Sequence, residues 1–390
     1  MAGLLAVVFI FSVCEIVIRV YNGSENRDRQ IWVPDPYLGV VHAPNNKFLY
    51  RKRPGEESSV WHETNSLGLL GEEVQIRKPY GVTRILVLGD SFTEALQVSP
   101  YENFCALLER HLNSGNDDPS HDYEVIGAGV PGYSPISEYL YLKRELLQLN
   151  PDLIIVQLSA NDVFEDHKTR AMSVLDKDGL PVMINRYFSK KYKDYPAISF
   201  EKTQKRSLFE KLHTAAISHS RYIEYMYTRA EKANEDSAHN KAMSELRQYR
   251  DEEQFFIIQE ESPLFQDATF RNATWKNTRK YLLAIKSLAE EHNARLAFFY
   301  IPRMNQLGIL EYGKDAPAEF RRPANRYLND LLSKFAQQQN IGFLDMLPAF
   351  EPNKDKGLYS KEDGHLTPEG HRLLAEELSE FVQAAIGKGK

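Results

Sequence analysis

A nucleophilic hydroxyl, a base and an oxyanion donor each have a candidate in this chain, and the candidates fall at regular structural positions. The hydroxyl is Ser91, at the end of Ile85-Leu86-Val87-Leu88-Gly89-Asp90-Ser91-Phe92. The apolar run reads as a buried strand. Gly-Asp-Ser then places the hydroxyl at the strand's C-terminal end, where open α/β sheets bind ligands. Taken alone the tripeptide is equally an ordinary turn, since Gly, Asp and Ser are common turn residues. A serine hydroxyl becomes a useful nucleophile only when a base takes its proton. His365, in Lys361-Glu362-Asp363-Gly364-His365-Leu366-Thr367-Pro368, is the candidate base. Asp363 stands two residues before it and can accept a hydrogen bond from the imidazole, fixing its tautomer. Glu362 competes for that role. The competing reading of this segment is a charged turn that caps a helix.

Acyl transfer also needs donors aimed at a developing oxyanion. The loop Gly129-Val130-Pro131-Gly132 can present a backbone N–H, and Ser159-Ala160-Asn161-Asp162 can present the Asn161 amide. Each segment alone is compatible with a simple strand-to-helix turn. Together, Ser, Gly, Asn and His follow the first, second, third and fifth core strands, so all four meet at one sheet edge.

The elements that must position them are read from hydrophobic pattern. Core strands are expected at 84–88, 123–126, 153–158, 295–300 and 342–345. Helices alternate with them. One opens at Ser99-Pro100-Tyr101-Glu102, a capping box with Pro at the first helical position. Another is capped by Ser134-Pro135 and ends at Pro151-Asp152. Others cover 275–292 and 316–339, and the last opens at Thr367-Pro368. This alternation predicts an α/β fold with a parallel sheet and helices on both faces. A flavodoxin-like strand order of 2-1-3-4-5 suits the count. Residues 21–83 read as an irregular, aromatic-rich N-terminal extension packed on the domain at 84–390. Residues 165–270 interrupt the rhythm as an α-rich insertion, with a hairpin turn at Asp176-Lys177-Asp178-Gly179. Its Tyr187, Phe188, Tyr192, Arg221, Tyr222 and Tyr225 suit a cap that selects sugar-like or anionic groups, and a solvated helical hairpin is the plainer reading.

The net charge of -6 argues against a nucleic-acid partner. Two cysteines, Cys14 and Cys105, cannot form a disulfide framework. Cys105 reads as a small buried hydrophobe, and a lipid-bearing role for Cys14 is disfavoured by the bulky Val13. Residues 2–14 are almost wholly apolar, and Ile16-Val17-Ile18 resume the run after Glu15. Residues 1–20 are expected to be a signal anchor or a cleaved signal peptide, giving a membrane partner; a buried helix of the fold is the alternative. Arg19, Arg27 and Arg29 follow this segment, and the positive-inside rule would keep the body of the protein cytoplasmic. No cofactor or metal is expected, because His42, His62, His213 and His219 lack ligand spacing. His371 and Asp90 read as structural. Glu94 reads either as a pocket residue or as a solvated loop charge.

The ordered set Gly89-Asp90-Ser91-Phe92, Gly129-Val130-Pro131-Gly132-Tyr133, Ser159-Ala160-Asn161-Asp162 and Asp363-Gly364-His365 resembles the SGNH hydrolase (GDSL-like esterase/lipase) superfamily. The resemblance covers roughly 84–165 and 275–385. It implies Ser91 as nucleophile, His365 as base, Asp363 as acid, and an oxyanion hole from the Ser91 and Gly132 N–H groups with Asn161. Two departures stand out: many members place the acid three before the histidine, where this chain has Glu362, and the second block often begins with Asn, here Gly127. Asn65-Ser66-Leu67-Gly68 is similar to a segment of membrane-anchored bacterial members, whose domain faces the periplasm or cell exterior, against the charge-based orientation. The expected function is carboxylic ester hydrolysis on an acylated small molecule or envelope glycan. An O-acyltransferase with the same triad and a non-catalytic glycan-binding module are the alternatives.

Overall fold

The apolar runs form a five-stranded sheet in the computed structural model, which describes residues 31–35, 37–51, 59–116, 118, 120–184, 268–304, 306–309, 326–361 and 364–387. The expected signal segment with Cys14, the insertion residues from Tyr187 to Tyr225, and both Glu362 and Asp363 lie outside the described residues. Among the described residues no helix is long and apolar enough to cross a membrane.

The extension is not irregular. It forms two antiparallel hairpins, β1 (Trp32–Asp35) with β2 (Gly39–His42), and β3 (Lys47–Arg51) with β4 (Ser59–Glu63). The sheet begins with β5 (Val82–Gly89), β6 (Asp122–Gly129) and β7 (Leu153–Leu158). A small hairpin, β8 (Val174–Leu175) with β9 (Pro181–Met183), turns through Asp176–Gly179. The sheet is completed by β10 (Arg295–Tyr300) and β11 (Gly342–Asp345). The order is β11-β10-β7-β5-β6 with every pairing parallel. Counting core strands in sequence, this is the expected 2-1-3-4-5 arrangement.

Among the described residues the α-helices are α1 (Ser91–Glu94), α2 (Phe104–Ser114), α3 (Pro135–Tyr141), α4 (Asp162–Met172), α5 (Ala268–Glu291), α6 (Tyr327–Gln339), α7 (Leu347–Phe350) and α8 (Pro368–Gly387). Alternate strand residues face opposite cores. Leu86, Leu88, Ile154, Val156 and Phe298 pack with Leu140 of α3, Ile285 of α5 and Phe335 of α6. Ile85, Val87, Ile155 and Phe299 pack with Leu108 of α2 and Leu378 of α8. Burial on both faces explains why the strands are near-continuous apolar runs rather than alternating ones.

Two helix starts differ from the local sequence signals. Ser99 makes no side-chain cap; Pro100–Glu102 forms only a 3₁₀ turn. Asn103 caps α2 instead, its Oδ1 accepting from Cys105 N at 2.8 Å. Likewise the Ser134 hydroxyl makes no cap bond at α3. The acceptor is tertiary: Asp166 of α4 takes the Ile136 N–H at 2.8 Å. A carboxylate from a neighbouring helix does here what a local serine usually does.

Burial pushes the Asp166 carboxyl up to about 7. Between the ordinary carboxylate value, about 4, and that value the folded state holds a proton the unfolded chain has released. Stability from this group is therefore present at low pH and lost as pH rises through that window. Asp166→Asn keeps the acceptor and removes the titration. Urea unfolding from pH 4 to 8 should show the wild type losing roughly 2–4 kcal/mol relative to the variant, at about 1.4 kcal/mol per pKa unit. Parallel stability curves would contradict this.

Candidate active site

Ser91 stands where β5 ends and α1 begins. Asp90 N donates to Gln157 Oε1 of β7 at 3.1 Å, and Asp90 Oδ1 accepts from Phe92 N at 2.9 Å, capping the short helix. Ser91 is the first helical residue, so its N–H belongs to the set without an intrahelical acceptor. This sharp turn needs room. A Cβ on Gly89 would lie 2.2 Å from Thr93 Oγ1, and one on Gly129 would lie 2.2 Å from Glu94 N. Because these glycines pair across β5 and β6, a side chain at either would force the serine turn off the sheet edge.

His365 is brought to Ser91 by a clamped loop ahead of α8. Ser360 N donates to His365 O at 2.9 Å, and Gly364 N donates to Ser360 O at 2.9 Å. Gly364 has φ +77°, which glycine adopts without strain. Gln97 Nε2, just past the serine turn, donates to Leu366 O at 3.0 Å. His365 Nε2 then lies 2.8 Å from Ser91 Oγ. With that nitrogen unprotonated, the hydroxyl donates to it, the geometry of a base poised to remove a proton. The Phe92 ring packs at 5.2 Å from the imidazole. His371 is structural: it is fully buried, its Nδ1 accepts from Phe104 N at 3.2 Å, and burial, reinforced by His365, lowers its pKa to about 3.

Gly132 lies in a tight turn after β6. Tyr133 N donates to Val130 O at 3.1 Å, with Pro131 second and Gly132 third at φ +73°. This is the type II pattern, which requires positive φ at that glycine. Val130 N donates to Gly89 O at 3.1 Å, tying the loop to the end of β5. Asn161 begins α4. Its side chain makes no local cap bond. Instead Oδ1 lies 2.7 Å from Ser159 Oγ and 3.3 Å from Arg303 Nη2, while Nδ2 donates to Asp90 Oδ2 at 3.3 Å. The asparagine is thus attached to the residue preceding Ser91.

Several groups around the site lay beyond sequence reasoning. Glu94 is neither pocket residue nor solvated charge. It is 5% exposed, and its Oε1 accepts from His42 Nε2 at 2.7 Å and Trp32 Nε1 at 2.8 Å. Both donors come from the N-terminal extension. His62 adds a bond from Nε2 to Leu96 O at 2.9 Å, and burial holds its pKa below the usual value. Beneath Asn161, Glu138 and Asp162 are both buried, which raises both carboxyls well above the carboxylate range and favours their neutral forms. Among the described residues no three His, Cys, Asp or Glu side chains are grouped so as to hold a metal ion.

The family model for the GDSL-like Lipase/Acylhydrolase family matches residues 87–373. Esterase TesA of Pseudomonas aeruginosa is 31% identical over 78 residues, covering 20% of this chain and 37% of that protein. The chain therefore aligns with only about a third of that relative's length. Among solved structures, the acetyl xylan esterase AlAXEase is similar at 15% identity and a TM-score of 0.39, over 76% of this chain and 98% of that one. The psychrotrophic esterase EstA from Pseudoalteromonas sp. is similar at 13% identity and a TM-score of 0.39, over 78% and 99%.

The Glu94 contacts predict a stability effect. His42→Ala removes one of the two side-chain donors described for the buried Glu94 carboxyl and leaves the Trp32 bond. Leaving a buried acceptor short of a partner typically costs about 1–3 kcal/mol. Urea unfolding should show a deficit of that order. A loss under about 1 kcal/mol would mean that the pair does not anchor the extension.

Proposed function

The chain belongs to the GDSL-like lipase/acylhydrolase family, and from that membership and its site geometry we propose that it is a serine ester hydrolase. The observation that carries the proposal is the 2.8 Å contact between Ser91 Oγ and His365 Nε2. In this reading Ser91 Oγ attacks the acyl carbonyl as its proton passes to His365 Nε2. The oxyanion is held by the Ser91 and Gly132 N–H groups and the Asn161 amide. Collapse expels the alcohol, which takes the proton from His365. Water then repeats the attack on the acyl-enzyme with His365 again as base. Asp363 is assigned as the acid that orients the imidazole. The substrate is proposed to be an acyl ester on a cell-envelope glycan or related molecule. The apolar N-terminal stretch supports a membrane anchor, and the likeness of Asn65-Ser66-Leu67-Gly68 to membrane-anchored members supports a domain facing the periplasm or cell exterior.

The test is turnover of p-nitrophenyl esters of increasing chain length by the purified protein, with and without sugar acceptors. Ser91→Ala should lower turnover by about four or more orders of magnitude with unchanged far-UV circular dichroism. Near wild-type turnover by the folded variant would overturn the assignment. Transfer to the sugar in preference to water would instead make the protein an O-acyltransferase.

The acid has its own test. Asp363→Asn should reduce kcat far more than Glu362→Gln, because it removes the negative partner of the imidazolium. The reverse ranking would assign the role to Glu362.

A further inference from the structure

We propose that Arg303 is a positioning residue that sets the orientation of the Asn161 amide in the oxyanion hole; the inference rests on the hydrolase reading above. Among the described residues, Asn161 has three side-chain hydrogen-bond neighbours: Ser159 Oγ, Asp90 Oδ2 and Arg303 Nη2. An amide can present oxygen or nitrogen to each, so its orientation is decided by what the neighbours tolerate. Ser159 decides nothing, because a hydroxyl donates or accepts. Its Oγ also lies 3.2 Å from Asp90 Oδ2, so it has an acceptor in either arrangement. An ionised Asp90 only accepts and Arg303 only donates. These two opposed groups fix Oδ1 toward the guanidinium and Nδ2 toward the carboxylate. A flipped amide would set oxygen against carboxylate and N–H against guanidinium.

The orientation matters because Nδ2 carries two hydrogens. One is engaged by Asp90 at 3.3 Å. The other is left for an oxyanion formed at Ser91. Arg303 is itself held rigidly at the end of β10. Its N–H donates to Gln306 Oε1 at 3.0 Å. Gln306 Nε2 donates to Asn329 Oδ1 at 3.0 Å, and Asn329 Nδ2 donates to Asp345 Oδ1 at 2.7 Å. Tyr359 OH donates to the carbonyl of Pro302, the preceding residue. The loop is therefore tied both to β11 and to the segment that carries His365. Arg303 touches no reacting atom in this account; it acts through Asn161.

The experiment is a double-mutant cycle on a neutral substrate, p-nitrophenyl acetate, so that pairing with substrate charge is absent. Arg303→Met should lower kcat about tenfold, or about 1.4 kcal/mol, with KM changed less than twofold. Arg303→Lys, still donor-only, should recover part of the loss. In the Asn161→Ala background, Arg303→Met should change kcat less than twofold, because the amide it orients is gone. An equal loss in both backgrounds, or an effect confined to KM, would overturn the inference while leaving the hydrolase reading intact. Asn161→Ala with undiminished kcat would instead remove the oxyanion role, and the inference with it. Thermal melts check folding; should Arg303→Met not fold, Arg303→Gln completes the same cycle with the same criteria.

Discussion

The contact between Ser91 and His365 joins positions 274 residues apart, and the rest of the architecture can be understood as what makes that contact possible. Chain entropy opposes holding such distant side chains at hydrogen-bond distance. The parallel sheet meets the demand because all its strands point one way. Their C-terminal ends form a single edge, and every loop leaving that edge starts from a fixed place. The serine turn leaves β5, an interior strand flanked by β6 and β7. The histidine loop is then locked to it by Gln97 and by the packing of α8 against α2. The cost of order is carried by two apolar cores, one on each face of the sheet.

The polar groups behind this edge form a graded environment. Asp90 accepts from Phe92, from the Asn161 amide and lies beside Ser159. It is hydrogen-bonded, as a buried polar group must be. Glu138 and Asp162 are buried with fewer partners, and desolvation favours their neutral forms. Arg303, half-buried, reaches Asn161 from the loop after β10.

Much of this was legible in the sequence, and the parts that were not share a physical reason. Strands buried on both faces announce themselves as apolar runs; the Ser, Gly and Asn segments follow those runs closely, and the His segment comes after the last of them, beyond α7. The pairing order 2-1-3-4-5 came from alternation and handedness alone. What failed were inferences that assumed a local partner. Ser99 and Ser134 have the residue type and spacing of caps, yet Asn103 and Asp166 do the work. Glu94 looked like a loop charge because its partners, His42 and Trp32, lie 52 and 62 positions away. Arg303 carried no signal, since a single arginine after a strand is ordinary until the fold sets it beside Asn161. The extension looked irregular because its strands are only four or five residues long, too short for a periodic signal.

Glu94 also bears on how chains of this kind diverge. The residues matched by the family model begin at Val87, so Glu94 lies inside the shared domain and its partners Trp32 and His42 lie outside it. A buried carboxylate without those donors would be strongly disfavoured. The extension therefore reaches into the shared domain three residues past Ser91, and removing it would take both of these donors from Glu94.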